Sequence, residues 1–174
     1  MNDDIQSGLA VLAATVADHA YATELAQRLN VPLLVTGTQP AECNTVDTLL
    51  MVDGRELRLQ RSGPGAPGPV AVDFGSAGMR HRRNAGTREM LGRAVGLGKK
   101  ASLRVLDATA GLGTDAFVLA DMGCEVLLCE REPVVAELLC AGLQAAADSG
   151  DLWLTSVVQR MSLVRGDARS VEPV

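Results

Sequence analysis

Apolar and polar positions in the second half of the chain alternate in a way that predicts an α/β fold. Three short apolar runs have the length of buried strands, at residues 103–106, 125–129 and 161–164. Between and around them, apolar residues recur at helical spacing over 114–122, 133–147 and 152–160. Strands that alternate with helices of this length predict a parallel sheet with right-handed crossovers.

The first 74 residues carry a different pattern, which predicts a small α/β domain of mostly hairpin character. Asp53-Gly54 lies between two alternating runs and is a strong signal for a hairpin turn. A Gly- and Pro-rich stretch over 61–69 cannot form regular structure. We expect a helix at 18–29 and strands at 8–14, 33–35, 48–52, 56–60 and 70–74.

Residues 75–100 are expected to form a basic connecting segment, with a helix near 87–95, between the domains 1–74 and 101–174. From Arg80 to Arg104 the chain has eight basic residues and one acidic residue, a net charge of +7 in a protein whose overall charge is −5. A solvated linker would explain this charge. The glycines beside His81, Arg82 and Arg83 favour an anionic partner, of which a phosphate backbone is the commonest.

Composition narrows the class of protein. The chain has 174 residues, of which 47% are hydrophobic. This fraction is enough for a globular core and excludes disordered and collagen-like chains.

No apolar run approaches the roughly 18–20 residues of a membrane span, and the acidic N-terminus is unlike a signal peptide. Four cysteines without C-x-x-C spacing and two histidines predict no metal site. We expect a cytoplasmic protein with reduced thiols.

The loop after the first strand of the second half carries a candidate cofactor site. It begins with Asp107, contains Gly111 and Gly113, and leads directly into a helix. The two glycines let the backbone turn tightly and leave room for a ligand at the helix N-terminus. Glu130 ends the next strand, 19 positions after Gly111. An acidic residue at that place suits ribose hydroxyl groups.

The carboxylates distinguish between the cofactors that such a loop could bind. Gly111-x-Gly113-x-x-Ala116 also satisfies a loose dinucleotide fingerprint, but Asp107 and Asp115 flank the position of a pyrophosphate. Two like charges about 4 Å apart repel by roughly 4 kcal/mol at an effective dielectric near 20. S-adenosylmethionine has no phosphate and carries cationic sulfonium and ammonium groups. We therefore expect S-adenosylmethionine; NAD and a purely structural turn remain the alternatives.

Arg165-Gly166-Asp167 follows the third strand of the second half. A carboxylate at the end of that strand can accept a hydrogen bond from the adenine amino group of a cofactor. An aspartate that caps the following turn is equally compatible with the spacing.

Three segments together resemble the ribosomal small subunit methyltransferase J family. They are Leu106 to Ala120, Gly123 to Ala136, and Val72-Asp73-Phe74-Gly75 leading to His81-Arg82-Arg83. The resemblance covers about residues 70–167. It implies a Rossmann-like class I methyltransferase sheet, incomplete here, behind a small α/β N-terminal domain. It also implies methylation of the exocyclic N2 of a guanine in 16S rRNA of the small ribosomal subunit.

The resemblance assigns roles to individual residues. It implies contacts to S-adenosylmethionine from Thr114, Asp115, Glu130, Arg131, Gly166 and Asp167. With the basic charge, it suggests that His81, Arg82 and Arg83 bind rRNA phosphate while a base is flipped into the pocket.

Members of the family continue through a fourth strand to an Asp-Pro motif that holds the target amine, whereas this chain stops at Val174. We therefore expect it to be inactive alone and leave its catalytic residues unassigned. A methyltransferase for another substrate, a non-catalytic cofactor- or RNA-binding fragment and an NAD-linked oxidoreductase remain alternative functions.

Overall fold

The computed structural model of the chain describes residues 8–84, 87–97 and 103–171. The chain divides into two compact units, Met1–Ala71 and Val72–Val174. Residues 72–74, which the sequence pattern grouped with the N-terminal domain, belong to the second unit. Lys99 and Lys100 of the basic segment lie outside the described residues. The division into three functional domains stays a prediction.

The first unit is a mixed four-stranded sheet with the order β2-β1-β3-β4. Its elements are β1 (Leu9–Ala13), α1 (His19–Leu29), β2 (Leu33–Leu34), β3 (Thr48–Asp53) and β4 (Glu56–Arg61). The hairpin predicted around Asp53-Gly54 is confirmed by the antiparallel pairing of β3 with β4. The predicted hairpin character of the whole unit is wrong. Strand β1 pairs in parallel with both β2 and β3, because α1 and the segment after β2 carry the chain back over the sheet.

The strand predicted at 70–74 is also absent. Only Val70 pairs, in a single antiparallel bridge with Leu59. The Asp73 carboxylate then accepts a hydrogen bond from the Gly75 backbone N–H at 2.8 Å. This local side-chain bond favours a turn over an extended strand.

A buried carboxylate joins α1 to the hairpin tip of the first unit. Asp18, 8% exposed, accepts hydrogen bonds from the backbone and hydroxyl of Thr15 and from the Gly54 backbone. The bond from the Thr15 hydroxyl, followed by that from Gly54, lowers the pKa of Asp18. These bonds stabilise the ionised form and hold the turn between β3 and β4 beside the start of α1.

The second unit is a parallel three-stranded sheet with the order β5-β6-β7. Its elements are α2 (Ala77–Asn84), α3 (Thr87–Ala94), β5 (Arg104–Asp107), α4 (Thr114–Asp121), β6 (Glu125–Glu130), α5 (Pro133–Asp148), α6 (Leu152–Val158) and β7 (Met161–Arg165). The predicted alternation of strands and helices is confirmed. Helix α2 was not predicted, because Met79 is its one buried apolar side chain among the described residues and leaves no apolar periodicity.

The core of the second unit lies on one face of this sheet. Val126, Leu128 and Met161 pack there with Phe117 and other residues of the helices. On the opposite face Leu106 is 52% exposed. The expectation that β5 is a buried strand is therefore wrong, since β5 is an edge strand in the described part of the sheet. Among the described residues, no helix combines the length and the apolar character that a membrane span needs.

Candidate functional site

The carboxyl ends of the three parallel strands meet at one edge of the second unit. Two hydrogen bonds tie the neighbouring loops to the end of β6. The Ala110 N–H donates to the Cys129 carbonyl at 3.0 Å, and the Gly166 N–H donates to the Glu130 carbonyl at 2.8 Å. The loops after β5 and β7 therefore both lie against the last residues of β6. In parallel α/β sheets, ligands bind at this edge.

The turn after β5 requires glycine at residue 113 for two independent reasons. Gly113 has a φ of +72°, a left-handed conformation, and immediately precedes α4. A Cβ atom on Gly113 would lie 2.7 Å from Leu139 Cδ1 and 3.3 Å from Phe74 Cζ. Gly111 has a φ of +54° but no comparable crowding. The backbone turn is thus packed directly against the core beneath it.

Glu130 holds this glycine turn in place. Its side chain is buried, and Oε2 accepts the Gly111 N–H at 2.8 Å while Oε1 accepts the Glu132 N–H at 2.8 Å. An ionised carboxylate has about four acceptor positions. The two backbone bonds therefore leave Glu130 acceptor positions for the hydroxyl groups of a ribose.

Two further carboxylates border the turn. Asp107, at the end of β5, accepts the Thr109 N–H at 3.2 Å. Asp115 lies in the first turn of α4, with 58% of its side chain exposed, and its Oδ1 is 3.4 Å from Nη2 of Arg82. Thr114 is the first residue of that helix and is half-buried. The turn therefore has negative side chains on both sides, which favours a cationic ligand and disfavours a phosphate.

Asp167 lies after β7, where it caps a short 3₁₀ turn. Its carboxylate accepts the Arg169 backbone N–H at 2.9 Å and the Arg169 Nε–H at 3.0 Å. The hydrogen bonds from Arg169, with a smaller contribution from the positive charge of Arg131, lower the pKa of Asp167. The capping role that the sequence left open is present. An adenine amino group would share an acceptor that Arg169 already uses.

The negative charges of Asp107 and Asp167 both interact electrostatically with the thiol of Cys129 near the end of β6. Burial, followed by these two negative charges, raises the pKa of Cys129. Asp107, Glu130 and Asp167 are thus gathered at the ends of three adjacent strands. Arg131 follows Glu130 and is exposed, with its Nε 3.5 Å from an oxygen of Glu132.

The three residues expected to contact RNA lie together on α2 but have different surroundings. His81 is exposed. Arg82 pairs with Asp115. Arg83 pairs with Asp121 at 3.3 Å, and its guanidinium lies 4.8 Å from the centre of the Trp153 ring. Arg83 therefore packs within the fold as well as carrying charge.

Trp153 and its partners are the part of this region that the sequence analysis missed. The indole N–H donates to Asp121 at 2.8 Å, and the ring packs edge-on against Phe117. Arg80 also stacks over Trp153, at 5.1 Å, and pairs with Asp151 at 3.0 Å. The sequence contains one signal for this contact. Arg80 and Arg83 are three residues apart, and this spacing puts both arginines on one face of a helix.

A cavity of about 680 Å³ lies on the open face of the sheet. It is lined in part by Arg104, Leu106, Leu127, Ser162, Arg169 and Val171. Most of these positions lie along the strands and not at their carboxyl ends, so this cavity is distinct from the glycine turn. In the described part of the chain, no group of three His, Cys, Asp or Glu side chains could hold a metal ion.

Comparisons with known proteins agree with this architecture. Residues 34–172 match the family described as putative SAM-dependent methyltransferase. Ribosomal RNA small subunit methyltransferase J of Pseudomonas fluorescens (strain Pf0-1) is 46% identical over 154 residues, covering 87% of this chain and 55% of the relative. The protein of the same name from Thioalkalivibrio sulfidiphilus is 47% identical over 150 residues, covering 85% of this chain and 56% of the relative.

A solved structure gives the same result for the fold. The crystal structure of a SAM-dependent methyltransferase from Neisseria gonorrhoeae is 30% identical and superimposes with a TM-score of 0.66, covering 91% of this chain and 60% of that one. The predicted family resemblance and the Rossmann-like class I fold are confirmed. The chain spans about half the length of the curated relatives that it matches.

Proposed function

The chain belongs to the family of putative SAM-dependent methyltransferases, and on that premise we propose that it forms the cofactor-binding part of an rRNA methyltransferase. The proposed reaction transfers a methyl group from S-adenosylmethionine to the exocyclic N2 of a guanine in 16S rRNA. Relatives above 40% identity carry the name ribosomal RNA small subunit methyltransferase J, which supports this substrate. The partner is then 16S rRNA or the small ribosomal subunit, and the location is the cytoplasm.

The observation that carries the proposal is the set of carboxylates around the glycine turn. Glu130 is fixed by the Gly111 and Glu132 N–H groups. Its remaining acceptor positions would take hydrogen bonds from the ribose hydroxyls. Asp107 and Asp115 would hold the cationic methionine part of the cofactor. This set of acceptors fits a ligand with ribose, ammonium and sulfonium groups, because each of those groups donates to or attracts a carboxylate.

The remaining candidate residues complete the cofactor site. Gly111 and Gly113 shape the turn through their left-handed φ values, and Thr114 begins α4 directly after it. The backbone of this turn and Thr114 would lie beside the ligand. Arg131, Gly166 and Asp167, at the ends of β6 and β7, would complete the contacts to the cofactor. When bound, S-adenosylmethionine supplies an electrophilic methyl group on a positively charged sulfur.

The basic residues of α2 are proposed to bind the substrate. His81 is exposed and Arg82 is 39% exposed, so both can reach an RNA phosphate. Arg83 supports them by fixing the helix through Asp121 and Trp153. A guanine N2 is a weak nucleophile because its lone pair is delocalised into the ring. Holding the RNA in line with the methyl group is therefore the main task of these contacts.

Calorimetry with S-adenosylhomocysteine and with NAD tests the cofactor proposal. We expect S-adenosylhomocysteine to bind the chain and NAD not to bind. Binding of NAD alone would overturn the assignment.

Transfer of labelled methyl groups to 16S rRNA and to small subunits tests the reaction, with a full-length relative as the positive control. For a cofactor-binding part of the enzyme, we expect label at guanine N2 with the full-length relative and none with the 174-residue chain. Equal labelling by the two proteins would contradict that expectation, and a full-length relative that leaves guanine N2 unlabelled would contradict the proposed substrate.

A further inference from the structure

Helix α2 is fastened to the second unit by two of its arginines. Arg80 and Arg83 both stack over the Trp153 ring, and they pair with Asp151 and Asp121, respectively. Asp121 ends α4, and its side chain is only 7% exposed. These contacts join α2 to both α4 and α6, so the direction of the remaining α2 side chains is set by the fold.

Arg82 lies between Arg80 and Arg83 in the sequence, but it contacts the N-terminal end of α4. Its Nη2 is 3.4 Å from Oδ1 of Asp115, two residues after Gly113. The two side chains are 39% and 58% exposed. An ion pair with this exposure is weak, because water and salt compete for both partners. A ligand cation can therefore replace the guanidinium on Asp115.

The carboxylate of Asp115 thus has two candidate cations. One is Arg82 of the same chain, and the other is the ammonium group of the cofactor. Arg82 in turn has two candidate anions, the Asp115 carboxylate and an RNA phosphate. While Arg82 and Asp115 pair with each other, Asp115 is less available to the cofactor ammonium and Arg82 is less available to an RNA phosphate.

We propose that the Arg82–Asp115 pair couples cofactor binding to RNA binding. Without cofactor, Asp115 holds Arg82. When the cofactor ammonium takes Asp115, Arg82 is released and binds a backbone phosphate. By linkage, RNA that captures Arg82 frees Asp115 and strengthens cofactor binding by the same factor. This inference rests on the proposed function, and it assigns Arg82 as a coupling residue that need not touch the reacting atoms.

Fluorescence titration of a labelled single-stranded oligouridine measures the coupling. The 174-residue chain is titrated with and without saturating S-adenosylhomocysteine at several salt concentrations. We expect the homocysteine derivative to tighten RNA binding about two- to fivefold at low salt, the range for one exposed ion pair. The slope of log affinity against log salt should steepen by about 0.7, the value for one further phosphate contact on a single strand.

A double-mutant cycle assigns the effect to the pair. In Arg82→Ala, and in the milder Arg82→Gln, the cofactor should no longer change RNA affinity. In Asp115→Asn, RNA affinity without cofactor should already be raised, and this gain should disappear in the double variant. Arg58→Ala is the matched control, because Arg58 is 40% exposed and pairs with Glu56 in the first unit. It should leave the coupling unchanged. Circular dichroism checks the fold of each variant.

The outcomes separate this inference from the proposed function. If S-adenosylhomocysteine binds but leaves the RNA affinity of the unmodified chain unchanged, the coupling is overturned and the cofactor assignment stands. The same holds if coupling persists in a folded Arg82→Ala variant. If neither S-adenosylhomocysteine nor S-adenosylmethionine binds, both the coupling and the proposed function fail.

Discussion

The Glu130 carboxylate accepts the backbone N–H of Gly111 at 2.8 Å, which joins the end of β6 to the turn after β5. Its other oxygen accepts the N–H of Glu132, at the entry to α5. One buried side chain therefore shapes the turn and also offers acceptors to a ribose. Any change at Glu130 should affect stability and ligand binding together.

Replacing Glu130 by glutamine should weaken the binding of S-adenosylhomocysteine about ten- to hundredfold. An amide offers one oxygen acceptor and no charge, and hydrogen bonds to charged groups contribute about 1.5–3 kcal/mol. Calorimetry measures the dissociation constant. Glu125→Gln is the control, since Glu125 is exposed at the opposite end of β6 and should leave the affinity unchanged. Equal affinities for the two variants would exclude a ligand contact by Glu130.

Gly113→Ala should lower the free energy of unfolding by about 2–4 kcal/mol. A left-handed φ costs an L-residue roughly 1–2 kcal/mol, and the new methyl would press against Leu139 at 2.7 Å. Gly150→Ala separates the two causes, because its φ is +74° and nothing lies within 4 Å of the added atom. That control should lose about 1–2 kcal/mol. Urea unfolding followed by Trp153 fluorescence measures both, and equal losses would contradict the crowding.

Arg83→Ala should destabilise the second unit by about 1–3 kcal/mol, because it removes a cation that pairs with the nearly buried Asp121. His81→Ala, on the same helix but exposed, should change stability by no more than about 0.5 kcal/mol. Trp153, the single tryptophan of the chain, reports the unfolding of this unit. If Arg83 served only to bind RNA, the two variants would unfold at the same urea concentration.

Asp18 should make the first unit sensitive to acid. Its pKa is lowered in the folded state from an ordinary value of 3.8, so its hydrogen bonds stabilise the fold above that pH. Their contribution is lost as the pH falls through the lower folded pKa. As the pH is lowered from 5 to below 3.8, we expect the urea midpoint to fall more steeply in the unmodified chain than in Asp18→Asn.

The absorbance of Tyr21, the single tyrosine, follows the first unit in this experiment. Asp47→Asn, at an exposed position of the same unit, is the control and should keep the steep acid dependence. If the urea midpoint of Asp18→Asn fell with pH in parallel with that of the unmodified chain, this result would contradict the role of Asp18.

Short-range features of this protein were predictable from its sequence. Asp53-Gly54 gave the β3–β4 hairpin, and the apolar runs gave the strands and helices from β5 to β7. The spacing of Gly111 and Gly113 gave the turn before α4, since a left-handed φ is a local requirement. The motifs around that turn also indicated the family. Each of these features depends on neighbouring residues, so the local pattern contains the necessary information.

Only the tertiary structure decided which distant side chains meet. Arg80 lies 71 positions before Asp151, and Asp121 lies 32 positions before Trp153, yet both pairs are hydrogen-bonded around one aromatic ring. The exposure of Leu106 follows from its place on the open face of the sheet and from the edge position of β5 among the described strands, neither of which its apolar sequence specifies. Such contacts depend on strand order and helix packing. For that reason Arg82 and Asp115 could each be predicted from the sequence as site residues, whereas the ion pair between them could not.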